Sequence, residues 1–180
     1  PSSITNNVAL ANTDYDPDLT AVTVTAGAGT LTGKTSGGTF GSTKHVEMVG
    51  LSTSGVCYGQ LTVSSTDAWS QAYEFCIGTL PSAETVLLFA GTGSTRCLAV
   101  ALTTAGALRV RDAANGADWT SGSNISTGTK YVLSVYSTRN ATTGTYRVIL
   151  YNYDTGSTVI DSTLLTGKNT GAAGGTSFRW

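Results

Sequence analysis

Apolar and polar residues alternate along this chain in short runs that are bounded by Gly, Ser, Thr and Asn. Such alternation places successive side chains on opposite faces of an extended strand, and no helical period, heptad or solenoid repeat recurs. The pattern predicts strands at residues 20–25, 44–50, 56–64, 69–78, 85–91, 95–102, 106–111, 130–137, 145–153 and 157–163. Short strands at this spacing are typical of a β-sandwich or barrel.

Two of the predicted strands indicate which face belongs to the core. One face of 69–78 carries large apolar residues and the other carries smaller or polar ones: Trp69, Tyr73, Phe75 and Ile77 against Ala72, Glu74 and Cys76. Strand 95–102 divides in the same way: Leu98, Val100 and Leu102 against Cys97, Ala99 and Ala101. Since side chains alternate along a strand, the larger set should face the core. Two packed antiparallel sheets, one with a wide, shallow outer face of small and polar groups, satisfy all of these strands.

Glycine-containing turns join several of the strands. Residues 104–106 and 154–156 each connect two runs of alternating residues, which predicts two hairpins. The longest irregular stretch runs from 113 to 128 and carries an isolated Trp119. Long loops of this kind are often functional rather than connective.

Length and charge narrow the classes of protein. The chain has 180 residues, which suits one domain, and we expect an N-terminal arm at 1–19 and a sandwich domain at 20–180. A net charge of -1 with 12% charged residues does not favour nucleic acid or an anionic membrane surface as a partner. No apolar run is long enough for membrane insertion, and the first residues lack the pattern of a signal peptide.

Cysteine and histidine are too few and too scattered for a zinc site. Cys57, Cys76 and Cys97 lie on or beside apolar runs without a CxxC spacing, and His45 is the one histidine. We expect reduced core thiols, with one disulfide plus one free thiol as the alternative. His45 itself is best interpreted as a polar residue at the edge of a strand, because no nucleophile motif accompanies it.

An acidic segment near the N-terminus has some features of a calcium site. It places Asp14, Asp16 and Asp18 at alternate positions, and oxygen-rich loops of this kind can hold calcium. The full calcium-loop pattern is not completed, since Leu occupies position 19 and Thr position 25. A turn around Pro17 is therefore preferred, and we assign no metal and no cofactor.

The segment DAANGADW is the best candidate for a binding site. Asp112, Asn115 and Asp118 supply planar groups that can bind paired sugar hydroxyls, and the ring of Trp119 can stack on the apolar face of a sugar. We therefore predict a carbohydrate-binding site at these four residues. In the equally weighted alternative, Trp119 folds back over the edge of the sandwich while Asn115 and Gly116 form a turn.

From about residue 72 to residue 162 the chain resembles a known family. The segments AYEFCIGTLPSAETVLLFAG, CLAVALTTAGALRVRD, GTKYVLSVYS and GTYRVILYNYDTGSTVID are similar in strand lengths and turns to a laminin-G-like, concanavalin A-like jelly roll. The lead TVTAGAGTLTGKTSGGTFGSTKHVEMVG resembles such modules in minor tail and other virion proteins of phages that infect actinobacteria. The resemblance implies an all-β jelly-roll sandwich, a fold that serves many unrelated functions.

The resemblance also implies a function. We expect a non-enzymatic phage virion protein, a tail or capsid-surface module that attaches to host-surface carbohydrate or decorates the particle. It would fold in the host cytoplasm, lie on the virion surface, form a homo-oligomer, and contact other virion proteins and host cell-wall glycan. The alternative is a carbohydrate-active enzyme or a secreted carbohydrate-binding or adhesion module.

No catalytic residue is assigned. The family's glycanases carry three carboxylates in an ExDxxE pattern, which is absent, and Glu74 is the one carboxylate on its predicted strand. Glu47 and Glu84 have no acidic neighbour close in sequence. A single carboxylate on a sheet face is more often solvated, or paired with a cation such as Arg109 or Arg111. We therefore do not expect an enzyme.

Overall fold

The computed structural model describes residues 8–9, 22–26, 30–34, 45–49, 57–92, 95–172 and 175–179. All regular elements in these ranges are β-strands, so the described part contains no helix that spans a membrane. The chain divides into two compact units, Pro1–Thr62 with Arg179–Trp180, and Val63–Phe178. The predicted arm at 1–19 lies outside the described residues, apart from residues 8–9, and stays a prediction.

The first unit contains short antiparallel strands. They are β1 (Val8–Ala9), β2 (Val22–Ala26), β3 (Thr30–Lys34), β4 (His45–Val49) and the first part of β5 (Cys57–Thr66). Strand β3 pairs with β1 and β4, and β2 pairs with β5. The predicted strands at 20–25, 44–50 and 56–64 correspond to β2, β4 and β5. Strand β3 was not predicted, because its glycine-containing sequence TLTGK resembles a loop.

The second unit contains the remaining ten strands. They are β6 (Ala68–Cys76), β7 (Thr85–Thr92), β8 (Thr95–Leu102), β9 (Ala107–Arg111), β10 (Ala117–Asn124), β11 (Lys130–Thr138), β12 (Gly144–Asn152), β13 (Thr158–Asp161), β14 (Leu165–Lys168) and β15 (Gly175–Arg179). One sheet has the order β10-β9-β8-β7-β15, and the other has the order β13-β12-β11-β6, with β14 also paired to β12. This arrangement confirms the predicted all-β, two-sheet antiparallel sandwich, which is consistent with a jelly roll.

The core of the second unit lies between its two sheets. Buried residues of one sheet meet buried residues of the other: Leu88, Leu98, Val100, Leu108 and Val110 against Leu133, Val135, Tyr146, Val148 and Leu150. Trp69 of β6 packs edge-on against Phe178, with ring centroids 5.1 Å apart. The face assignment of β6 is confirmed, since Tyr73, Phe75 and Ile77 pack against this core. Burying each such side chain contributes about 1.5–3 kcal/mol.

The small-residue face of β8 is more covered than its sequence suggests. Ala99 and Ala101 are fully buried although they point away from the core. In the paired strands, Ala99 lies opposite Phe89 and Arg111, and Ala101 lies opposite Arg109. The two alanines are thus covered, whereas Val86, which also pairs with Ala101, is 45% exposed.

The segment predicted as an irregular loop at 113–128 contains strand β10. Its sequence ADWTSGSN has few β-branched residues, which is why the alternation does not reveal a strand. Its pairing with β9 is interrupted by register shifts on both sides of the Trp119 and Thr120 pairs. The Ser121 hydroxyl accepts a hydrogen bond from the Leu108 amide at 3.0 Å and helps to hold the irregular strand.

Candidate functional site at the β9–β10 hairpin

The hairpin tip, residues 112–116, is a tightly hydrogen-bonded turn. The Asp112 amide donates to the Gly116 carbonyl at 3.1 Å, and the Asn115 amide donates to the Asp112 carbonyl at 3.0 Å. The Asp112 carboxylate in turn accepts from the Gly116 amide at 2.7 Å. Asn115 has a φ of 68°, a left-handed conformation that asparagine tolerates better than most residues. The turn that the sequence suggested at Asn115 and Gly116 is confirmed.

Asn115 also connects two arginines. Arg96 Nη1 donates to Asn115 Oδ1, and Arg111 Nη1 donates to the Asn115 carbonyl oxygen at 3.0 Å. Arg96 comes from the start of β8, whereas Arg111 ends β9. The hairpin tip thus brings together two cations that lie on different strands.

Glu84 links the second arginine to a third. Its Oε1 accepts from Arg111 Nε at 2.5 Å and its Oε2 accepts from Arg109 Nη1 at 2.8 Å. Arg109 Nε further donates to the Thr120 hydroxyl at 3.3 Å. We call Arg96, Arg109, Arg111, Glu84 and Asn115 the arginine network, because one hydrogen-bonded path joins all five.

The strand geometry explains why the network forms. Arg109 and Arg111 are separated by one residue on β9, so both side chains leave the same face of the sheet. The register between β7 and β8 helps to place Arg96 in the network. Ala90 pairs with Leu98 and Gly91 with Arg96, which leaves Cys97 as an extra residue in a bulge. A bulge shifts the alternation of side chains beyond it.

The charge of the network is unbalanced. Glu84 pairs with Arg109 and Arg111, whereas Arg96 bonds to Asn115. The hairpin tip adds the carboxylate of Asp112, so three cations and two carboxylates leave an excess of one positive charge. The hydrogen bond from Arg111 is the main cause of a lowered pKa for Glu84, and the same bond raises the pKa of Arg111. Glu84 is therefore held in its ionised form, as a partner of cations.

Asp118 and Trp119 belong to a different environment. The Asp118 carboxylate accepts from Lys168 Nζ at 3.0 Å through Oδ1 and from the Tyr146 hydroxyl through Oδ2. Burial, followed by the bond to Asp118, raises the pKa of Tyr146. Trp119 pairs with Val110 and packs, half-buried, against the core. The structure thus places Asp112 and Asn115 together in the hairpin tip and directs Asp118 and Trp119 to other partners.

The remaining polar candidates lie elsewhere. Glu74 is exposed on β6, and His45 and Glu47 lie on β4 of the first unit. Asp14, Asp16 and Asp18 fall outside the described residues. Among the described residues, no three His, Cys, Asp or Glu side chains are grouped to hold a metal ion.

Two of the three cysteines are described in full. Cys97 is buried and Cys76 is half-buried, and both are free thiols. The Cys97 sulfur accepts a hydrogen bond from Arg139 Nη1 at 2.6 Å. Reduced thiols were predicted at these positions, and the side chain of Cys57 lies outside the described residues.

Sequence reasoning did not identify the arginine network. The sequence suggests Arg109 and Arg111 as ion-pair partners of a carboxylate on a sheet face, and the structure pairs both with Glu84, which directly precedes β7. Their spacing, with one residue between them directly before the turn, is the signal that was available. Arg96 and Glu84 gave no signal, because each lies many residues away from β9.

Comparisons with known proteins identify no family for this chain. The chain matches no protein-family model and no curated protein. It is similar to the solved structure of Trypanosoma rangeli sialidase with a TM-score of 0.43 and 13% sequence identity, over 88% of this chain and 25% of the sialidase chain. The chain thus spans about a quarter of the length of that sialidase. The fold assignment comes from the strand pairing described above, and the activity of the sialidase is not transferred to this chain.

Proposed function

We propose that this chain is a non-enzymatic virion module of a phage that attaches to host-surface carbohydrate through the hairpin tip. It folds in the host cytoplasm, then lies on the particle surface as part of a tail or capsid, in contact with other virion proteins and further copies of itself. If it binds no glycan, its role is to decorate the particle.

The geometry of the hairpin tip supports carbohydrate binding. Its turn is fixed by three internal hydrogen bonds, so a ligand meets groups that are already in position. Exposed Asn115 accepts from Arg96 through its carboxamide oxygen and from Arg111 through its backbone carbonyl. The planar carboxamide nitrogen of Asn115 and the planar guanidinium of Arg111 remain as donors to sugar hydroxyls. The ordered turn with its planar polar groups is the observation that carries the proposal.

The partners of the nearby carboxylates support a non-enzymatic role. Glycosidases use two carboxyl groups, one of which keeps a proton through a raised pKa. Here the pKa of Glu84 is lowered by its arginines, and Asp118 is engaged by Lys168 and Tyr146. Neither environment suits a general acid.

The placement on a virion rests on the sequence. The Thr- and Gly-rich lead is similar to laminin-G-like modules of phage virion proteins. A net charge of -1 also suits repeated copies on a particle, since neighbouring copies repel each other little.

A glycan-array screen tests attachment. Asn115→Gly is the preferred variant, because glycine accepts the positive φ of the turn while the carboxamide is removed. Thr163→Gly is the matched control, since Thr163 also has a positive φ, of 57°, and lies after β13 in the other sheet. Trp119→Ala is less suitable, because Trp119 packs against the core and its loss would disturb folding.

We expect the wild type and Thr163→Gly to bind the same glycans and Asn115→Gly to lose that binding. Equal binding by all three proteins would place any sugar site elsewhere, and no binding by any of them would leave decoration as the role. Release of shorter sugars from a bound glycan would contradict the non-enzymatic assignment. An antibody against the chain should label intact particles of the phage that carries it, and failure to label them would contradict the virion placement.

A further inference from the structure

We propose that the arginine network makes the hairpin end a binding site for an acidic carbohydrate, a sugar polymer that carries carboxylate or sulfate groups. This inference rests on the proposed function, because it specifies the chemical class of the glycan. The network supplies the charged contacts, and the hairpin tip supplies contacts to hydroxyls.

Local charge is the first observation. The whole chain is nearly neutral, with ten Lys and Arg against eleven Asp and Glu. The site nevertheless gathers three cations, Arg96, Arg109 and Arg111, with two carboxylates, Glu84 in the network and Asp112 in the hairpin tip. Two carboxylates neutralise two of the three cations, so an anionic ligand would balance the remaining positive charge of the site.

Unused hydrogen-bond donors are the second observation. Arg109 and Arg111 bond to protein groups through Nε and Nη1, and Arg96 bonds through Nη1. Within the described residues, the Nη2 groups of all three donate to no protein atom. The side chains of Arg109 and Arg111 are 32% and 26% exposed, which leaves them accessible to a ligand.

The arginines are also held in position. Glu84 fixes Arg109 and Arg111, and Asn115 fixes Arg96 and Arg111. A long flexible side chain normally loses rotamer freedom when it binds a ligand, and here that cost is reduced in advance. Such preorganisation distinguishes the network from separate arginines on a surface.

The extent of the charge favours an acidic sugar over nucleic acid. Three arginines on one hairpin end match a few discrete anionic groups, whereas a nucleic acid needs a continuous basic stripe to neutralise successive phosphates. The carboxamide nitrogen of Asn115, whose oxygen accepts from Arg96, can donate to hydroxyl groups, which a sugar offers and an acidic peptide largely lacks.

The test uses immobilised polymers of known charge. Polygalacturonate presents carboxylates, dextran sulfate presents sulfates and dextran is neutral, while polyglutamate carries carboxylates without a sugar. The variants Arg109→Gln and Arg111→Gln each remove one cation from the network. Arg147→Gln is the matched control, because Arg147 pairs with the single carboxylate of Asp161 on the opposite sheet and is 45% exposed. Thermal melting checks that each variant is folded.

We expect the wild type and Arg147→Gln to bind polygalacturonate or dextran sulfate but not dextran, and whichever of the two polymers binds identifies the anion. Each network variant should weaken that binding by about tenfold or more. Equal losses in Arg147→Gln would overturn the inference, because they would indicate attraction by overall charge. Equal binding to polyglutamate would overturn the assignment to a sugar.

The two proposals fail in different ways. If the chain binds only neutral glycans and Asn115→Gly abolishes that binding, carbohydrate attachment stands and the acidic class is wrong. If the chain binds neither the polymers nor any glycan on the array, carbohydrate attachment and the acidic class are both wrong, and decoration of the particle is the role that remains.

Discussion

Arg139→Met is expected to stabilise the second unit, although it removes a hydrogen bond. Arg139 is only 5% exposed, and its single side-chain hydrogen bond goes to the Cys97 sulfur at 2.6 Å. Its Nε and Nη2 are buried and have no hydrogen-bond partner. Burial raises the pKa of the Cys97 thiol, so the sulfur is neutral and does not offset the positive charge of the guanidinium.

The magnitude follows from these contacts. Each buried donor without a partner costs about 1–3 kcal/mol, and a well-packed apolar replacement of buried ionic groups often stabilises a protein by about 1–4 kcal/mol. Methionine retains most of the length of the arginine stem and fills irregular space. The backbone bond from the Arg139 amide to the Asp67 carbonyl, at 2.6 Å, is unaffected. We therefore expect the free energy of unfolding to increase by about 1–4 kcal/mol.

Urea unfolding followed by tryptophan fluorescence measures this change. Trp69 is 8% exposed in the core of the second unit and reports on its unfolding. With an m value of about 2 kcal/mol/M, the midpoint should rise by about 0.5–2 M urea. An unchanged m value would show that the denatured state is not altered.

Two controls make the result specific. Arg139→Lys keeps a buried charge and should not stabilise the protein. Arg147→Met removes an exposed cation from its pair with Asp161 and should change stability by less than about 1 kcal/mol. A lower midpoint for Arg139→Met than for the wild type would refute the reasoning, because it would mean that the guanidinium contributes more through its contacts than its burial costs.

Three further predictions concern acid stability, packing and thiol chemistry. Arg111 and Arg109 lower the pKa of folded Glu84 below its usual 4.5, so their stabilisation is present above that pH and is lost as the pH falls through the lowered pKa. Urea titrations from about pH 6 to pH 2 should show that Glu84→Gln loses less unfolding free energy than the wild type as the pH falls. Equal losses in the two proteins would contradict this. Gly144→Ala should destabilise the protein by more than about 2 kcal/mol, since the new Cβ would meet the Thr170 hydroxyl and lie 2.9 Å from two carbonyl oxygens. Gly122→Ala is the control in the same urea assay: its Cβ would enter open space, so stability should change by less than about 1 kcal/mol. Iodoacetamide labelling followed by mass spectrometry should modify half-buried Cys76 before buried Cys97, and equal rates would contradict the burial of Cys97.

Most strands of this protein could be predicted from local alternation. The predicted strand at 95–102 coincides with β8, and those at 85–91, 106–111 and 130–137 match β7, β9 and β11 to within a residue at each end. This worked because a half-buried strand needs apolar residues on one face only, and that requirement repeats every second residue. Strand β10 escaped prediction because its residues do not alternate clearly, and its contacts with β9, including the bond from the Leu108 amide to the Ser121 hydroxyl, stabilise it.

The candidate site likewise has one part that the sequence predicts and one part that depends on the tertiary structure. The turn at Asn115 and Gly116 was predictable, because tolerance of a positive φ is a property of the residues themselves. The sequence also places Arg109 and Arg111 on one face of β9. Only the tertiary structure brings Glu84 and Arg96 to them, since those contacts join residues 19 to 27 positions apart. Pairing of β8 with β9 and the bulge at Cys97 decide that meeting, and pairing between strands depends on the whole sheet rather than on neighbouring residues.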